Sequence, residues 1–393
     1  MTFDGRTIAL YVDTGSRQTY LVYGGWYESV YGPGSCEYLV SGCYFCPLDD
    51  PCDLKGLLSQ RIRTISYGDK DVVKFVNRRV ALEYDEQKIR NLQIGLVVNA
   101  TMIKKNQPHA VLGVSFNPRV QNAVQEPSFL EHLLRFNNPT ASIHVSKFSI
   151  GLTGRLVLGR SPEHVRGTRF FPIQEAPWAA TMSAMVASAA WVKSSSDAAH
   201  GKQLWGEGGH FHVVLDTGSD TSTIPSEVFS MILDTIEAEF GEERIDWTGE
   251  FYKGKKRNLV AFLDGHRRIW CRKTMVNRLP SIDIQVDGSP AFEINLSDYA
   301  FVCGDLWCTV QIKDRLSLDD SESAFLLGMP FFAAHDFFID HGSRLIGIKA
   351  PAEPVVKESF TTKAWNERLG PPCTRVVQIP SGATRVIQSC IDA

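Results

Sequence analysis

One tetrapeptide occurs twice in this chain, at matching places in its two halves. LYVDTGS (10–16) returns as VVLDTGS (213–219), and AVLGVSF (110–116) returns as FLLGMPF (325–331). Each half therefore runs from an apolar strand through Asp-Thr-Gly-Ser to a later Φ-Leu-Gly segment. A repeat of so long a period implies two related folding units, not a solenoid. The length of 393 residues agrees, since single cores stop growing near about 250–300 residues. The expected division is a first lobe over 1–165, a connection over 166–200, a second lobe over 201–350 and an extension over 351–393.

Between the repeated motifs most of the chain reads as short strands. IALYV (8–12), LVVNATMI (96–103), RLVLGR (155–160), HFHVVLD (210–216), SIDIQVDG (281–288) and RLIGIKA (344–350) are apolar runs, most of them bounded by Gly, Pro, Asn or Asp. Helical spacing is confined to SFLEHLLRF (128–136) and SEVFSMILDTIEAEF (226–240). In the second, Ser226 is placed to cap, and Phe229, Ile232, Leu233, Ile236 and Phe240 form a core-facing stripe. Many strands with few helices predict an all-β architecture.

Composition narrows the function. A hydrophobic fraction of 44% describes a globular chain, and 41 basic against 44 acidic residues leave no basic stripe for nucleic acid. The nearest candidate, Lys253, Lys255, Lys256 and Arg257, reads as a solvated loop. No apolar window is long enough to predict a membrane span; the uncharged run 176–192 is interrupted by Pro177, Thr181, Ser183 and Ser188. The nine cysteines, four of them crowded between Cys36 and Cys52, suggest disulfides and an oxidising compartment. The alternative of zinc at Cys43-x-x-Cys46 has no second Cys-x-x-Cys to complete it. Asn99-Ala-Thr101 and Asn295-Leu-Ser297 are glycosylation acceptor sequences.

The doubled Asp-Thr-Gly-Ser carries the chemistry. Asp13 and Asp216 each end an apolar strand. Gly15 and Gly218 let the backbone turn tightly and bring an N–H to the carboxylate. The hydroxyls of Thr14, Ser16, Thr217 and Ser219 can brace the turn. When two such turns meet, two carboxyls lie within a hydrogen-bond length, and like charges that close share a proton. The ionised member can deprotonate a water and the protonated member can donate to a carbonyl, with neither metal nor cofactor. His210-x-His212 offers a competing metal reading, because alternation puts both on one face of a strand.

These residues resemble the pepsin-like, two-lobed aspartic peptidases over nearly the whole chain. The resemblance implies two β-barrel-like lobes with a cleft between them, catalytic Asp13 and Asp216, and a polypeptide substrate cut at acid pH beside apolar residues. It also implies a monomer, no cofactor, and the secretory pathway or an acidic vacuole-like compartment. ISYGD (65–69) matches the family's flap hairpin, so Tyr67 and Gly68 are expected over the substrate. Tyr20 stands where the family commonly has Trp, and Val111 is expected beside the pocket before the scissile bond. FSIGLTGRLVLG (148–159) resembles the strand pair before the interlobe connection, and 326–348 resembles the closing hairpin. Cys271 and Cys303 flank the 279–288 strand as a second-lobe disulfide does in relatives, and Cys36–Cys52 lies where the first lobe has loop disulfides. Only twelve residues precede Asp13; relatives carry more, including a strand of the central sheet and the secretion and propeptide segments. The flap tip is unusually charged, and the stretch after Ala350, with Cys373 and Cys390, extends past the family's usual end. A catalytically silent homologue that binds a peptide or protein is the alternative reading.

Overall fold

The computed structural model describes residues 1–67, 70–84, 87–103, 107–115, 129–134, 140–148, 152–159, 166–175, 183–196, 202–204, 210–249, 258–286, 292–314, 324–340, 342–351 and 355–357. Of the expected features, Gly68, Asp69 and the basic run 253–257 lie outside these residues. So do Cys373, Cys390 and all of the extension beyond 357.

The first half builds an eight-stranded sheet around one long hairpin, Val72–Tyr84 against Gln87–Thr101. Bulges at Lys74/Phe75 and Val80/Leu82 shift its register, the first by an extra residue, Val98, in the partner strand. Beyond the hairpin lie Tyr20–Val22, then Val111–Gly113, then Tyr11–Asp13. Arg63–Ser66 attaches to the outer side of Val72–Tyr84. Thr2–Phe3 and Arg6–Thr7 form a small hairpin against the same strand. The strand expected over 8–12 is narrower and later, since only Tyr11–Asp13 joins the ladder.

The second half repeats this wiring in a nine-stranded sheet. Phe211–Leu215 runs parallel to Ala324–Leu327, which also pairs antiparallel with Ser222–Ile224. In the first half, Tyr11–Asp13 runs parallel to Val111–Gly113, which pairs antiparallel with Tyr20–Val22. The repeat in sequence is thus a repeat in topology. Within 166–200 the chain lays down Arg169–Pro172 and Ser183–Lys193, the latter a central strand of the nine-stranded sheet. No helix among the described residues is long and apolar enough to cross a membrane.

A third sheet joins the halves. The hairpin Thr140–Phe148/Leu152–Leu158 pairs edge to edge with Asp336–Asp340/Leu345–Lys349, in register Ile143↔Phe337 and Ala141↔Ile339. Arg169–Pro172 closes one side, and Val356–Lys357 runs parallel to the end of Thr140–Phe148. His144 Nδ1 lies 3.0 Å from Asp336 Oδ2 across the junction. A five-stranded sheet over residues 245–309 completes the second half.

Helix Ser226–Phe240 forms over the span its spacing predicts, burying Val228, Phe229, Ile232, Ile236 and Phe240. Its cap differs from expectation. Pro225 holds the N-cap position, and Ser226 instead donates its hydroxyl to Asp314 Oδ1 at 2.7 Å. Helix Gly24–Tyr31 escapes the sequence reading because it opens on two glycines. Gly24 is required there by packing, since a Cβ would sit 2.1 Å from the Phe45 ring.

Disulfides Cys36–Cys43 and Cys46–Cys52 staple the loops of the first half. Both cysteines of the zinc alternative are therefore oxidised. The second-half pairing is a correction. Cys303 bonds Cys308, not Cys271. The three strands place Cys271 and Cys303 on opposite sides of Cys308, so the hairpin partner takes the bond. Cys271 stays a buried free thiol, and burial pushes its pKa up to about 12.

Candidate active site

The two Asp-Thr-Gly turns meet, one from each half of the chain. Asp13 ends its strand, and Asp216 sits one residue past Phe211–Leu215. Both are buried, 6% and 8% exposed. Each carboxylate is held by its own turn: Gly15 N–H donates to Asp13 Oδ1 at 2.8 Å, and Gly218 N–H to Asp216 Oδ1 at 2.7 Å. The two carboxyls lie close together, since a Cβ on Gly218 would sit within 3.0 Å of oxygens of both.

The threonines lock the turns together across the halves. Thr14 Oγ1 donates to Leu215 O at 2.7 Å and accepts Thr217 N–H at 2.9 Å. Thr217 Oγ1 donates to Val12 O at 2.7 Å and accepts Thr14 N–H at 3.0 Å. Four buried hydrogen bonds thus fix one carboxyl relative to the other. Each glycine has a second duty of clearance. A Cβ on Gly15 would lie 2.4 Å from Asp216 Oδ1, and one on Gly218 would lie 2.7 Å from Asp216 Oδ1 and 3.0 Å from Asp13 Oδ1. Only glycine lets the carboxyls approach.

The Φ-Leu-Gly segments support the turns from below. Val114 N–H donates to Asp13 O, and Asp216 N–H donates to Leu327 O, both at 2.9 Å. Ser115 N–H reaches Ser16 O, and Met329 N–H reaches Ser219 O. Gly113 N–H donates to Thr19 Oγ1 and Gly328 N–H to Ser222 Oγ. Thr19 and Ser222 were not singled out from the sequence. Each stands six residues after its Asp, so reading the repeat three positions further would have found them. Tyr11 was also missed; its hydroxyl donates to Thr217 O at 2.8 Å, another bond between the halves.

Tyr67 follows the strand Arg63–Ser66, and its hydroxyl meets that of Tyr20. Tyr20 is buried against Phe75 and lies near enough to Asp13 to feel its charge, while burial holds its phenol well above the usual range. A tyrosine in place of an indole therefore still bonds the hairpin. Val111 is buried in its strand, paired with both Tyr11 and Tyr20. Arg17 is buried beside the first turn, its guanidinium 3.5 Å from Glu131 on helix Phe129–Leu134.

Burial pushes the Asp13 carboxyl well above the ordinary range, and the Asp216 charge pushes it further. Burial also raises Asp216, against the N–H donors that favour its ionised form. Such a pair binds a proton well beyond the range of a free carboxyl. His210 is exposed and His212 half-buried on Phe211–Leu215. Among the described residues no cluster of three or more His, Cys, Asp or Glu could hold a metal.

A family model described as eukaryotic aspartyl protease matches residues 4–350. The chain belongs to the eukaryotic aspartyl protease family. Among solved structures, this aspartyl protease chain resembles the aspartic proteinase from Irpex lacteus, with a TM-score of 0.60 at 14% identity over 91% of this chain and 92% of that one. A likeness at that identity speaks for the pepsin-like, two-lobed fold. No curated protein sequence matches this aspartyl protease chain.

Proposed function

We propose that the chain is an aspartic endopeptidase in which Asp13 and Asp216 act as a general acid–base pair. The observation that carries the reading is the pair itself: two buried carboxyls brought together across Gly15 and Gly218, each held by its own Gly N–H. The ionised member takes a proton from water as the oxygen attacks the peptide carbonyl. The protonated member donates to the carbonyl oxygen, and the tetrahedral intermediate then collapses with the proton passed to the leaving amine. No covalent enzyme intermediate forms.

An extended peptide lies across the pair under the hairpin that carries Tyr67, with its main chain paired as an added strand and side chains in alternate pockets. Apolar walls at Val111 and Tyr67 favour an apolar residue before the cut bond. Activity falls on the alkaline side once the pair loses its shared proton. The three disulfides among the described residues and the exposed acceptor residues Asn99 and Asn295 support an oxidising, secretory setting.

The test is Asp216→Asn, assayed on an unfolded protein substrate at acid pH. Turnover is expected to fall by about 10³-fold or more, with the fold intact by circular dichroism. Full residual activity would remove Asp216 from the mechanism.

A further inference from the structure

The hairpin that carries Tyr67 is weakly attached where it matters. Its outer strand, Arg63–Ser66, pairs only with Val72–Tyr84 among the described residues, so it is an edge strand held on one side. The inner strand's pairing with Gln87–Thr101 ends at Val72↔Thr101. Beyond that pair, no backbone bond among the described residues holds the returning arm of the turn to the neighbouring strand.

Asp71 stands at this point. It is only 4% exposed. Its Oδ1 accepts the backbone N–H of Ile103 at 2.6 Å. The carboxylate thus extends the attachment past the last ladder pair, from the turn to the segment that leaves the neighbouring strand. The main chain of Asp71 holds the other end, because Tyr67 N–H donates to Asp71 O at 2.9 Å. Lys70 N–H closes the turn onto Tyr67 O, also at 2.9 Å, with Lys70 in the left-handed region at φ 74°. Tyr67 is then fixed at two places: its backbone on Asp71, and its hydroxyl on Tyr20 beside Asp13.

We infer that Asp71 is a positioning residue for Tyr67: its buried carboxylate pins the root of the hairpin to Ile103 and so sets where Tyr67 meets Tyr20 and the substrate. A side-chain oxygen at this reach suits the task, since it gives the Ile103 N–H a close acceptor where the ladder has ended. Without it the turn keeps its internal bonds but swings as a unit. The consequence for turnover rests on the peptidase reading proposed above.

The test compares Asp71→Ala, Asp71→Asn and Asp71→Glu with the parent chain by two readouts. The first is KM and kcat on an apolar peptide at acid pH. The second is amide hydrogen exchange over residues 63–84, which needs no turnover. Asp71→Ala is expected to raise KM about tenfold, the mark of lost binding interactions, with kcat nearly held and exchange faster at the hairpin only. Asp71→Asn keeps an acceptor oxygen at the same reach and is expected to restore both readouts. Should Asp71→Ala fail to fold, Asp71→Glu carries the test, since it keeps the carboxyl but displaces the anchor and is expected to raise KM and hairpin exchange. A general loss of stability that lowers the active fraction would reduce kcat and leave KM alone, and that result overturns the proposal. So does parental KM and exchange in a folded Asp71→Ala or Asp71→Glu. If the parent chain cleaves nothing, the peptidase reading fails, while the exchange measurement still decides the role of Asp71.

Discussion

At the residue scale, glycine does two different jobs in the Asp-Thr-Gly turns. One is the N–H that each supplies to its carboxylate. The other is absence of a side chain, because the space a Cβ would fill on Gly15 is occupied by the Asp216 carboxyl at 2.4 Å. The second job crosses the molecule and is invisible from either turn alone. Gly15→Ala is therefore expected to drive the carboxyls apart and cut turnover by about 10²-fold or more, the loss general acid–base catalysis suffers when its geometry fails. A pH–rate profile checks the cause: the alkaline limb should move toward lower pH, because a separated pair holds its shared proton less well. An unmoved limb with parental kcat would show that the turn absorbs the methyl group.

At the scale of elements, the Φ-Leu-Gly strands matter for what passes over them. Gly113 lies under the first turn, where a Cβ would meet Arg17 C and Gln18 O at 2.6 Å. Gly328 lies under the second, where a Cβ would meet Thr221 O at 2.4 Å and Ser219 O at 2.6 Å. All of these are backbone atoms, so a methyl group must push a loop. Gly113→Ala and Gly328→Ala are each expected to lose about 1–3 kcal/mol by overpacking and to lower activity as well. Gly265→Ala, with nothing within 4 Å and no left-handed φ, is the matched control and should be near neutral. Denaturant unfolding of the three variants checks the order.

The strands that the sequence made legible were those whose apolar runs are buried, such as Phe211–Leu215 and Ser281–Val286. Helix Ser226–Phe240 was legible because its stripe persists through several turns. Helix Gly24–Tyr31 was not, since a pair of glycines argues against a helix start and only packing explains them, Gly24 against the Phe45 ring and Gly25 against the Tyr23 ring. The cap at Ser226 was misread for a similar reason: a hydroxyl at a helix start has two uses, and Asp314, far away in sequence, claimed it. The second-half disulfide followed the same pattern. Spacing alone allowed Cys271 and Cys303, and strand register gave the bond to Cys303 and Cys308.

At the scale of the whole molecule, the buried pair links protonation to stability. Burial raises both carboxyls above the ordinary aspartate value of about 3.9. Between that value and the raised folded values, the folded chain binds more protons than the unfolded one. Stability from this source is complete below the ordinary value and declines as pH climbs through the folded ones. Asp13→Asn removes one ionisable partner while keeping an oxygen for Gly15 N–H. It is expected to melt higher than the parent at pH 7, with the difference closing by about pH 3. Thermal unfolding at the two pH values checks this; an equal difference at both would show that the pair does not titrate as a strained unit. The same variant should be inactive if the pair acts as proposed, so the pair would weaken the fold at neutral pH in return for its chemistry.

By itself the sequence determined that this chain has two related halves, that each supplies one carboxylate on a strand-ending turn, and that the architecture is mainly β. Those are local or repeated facts: an apolar run, a turn motif and its copy. Only the tertiary structure decided how the copies meet. The crossed threonines, the clearance at Gly15 and Gly218, the Tyr20–Tyr67 contact, the Cys303–Cys308 bond and the anchor at Asp71 each join positions that no spacing rule connects. Their partners are selected by strand register and by the packing of one half on the other, and those depend on the whole chain being folded at once.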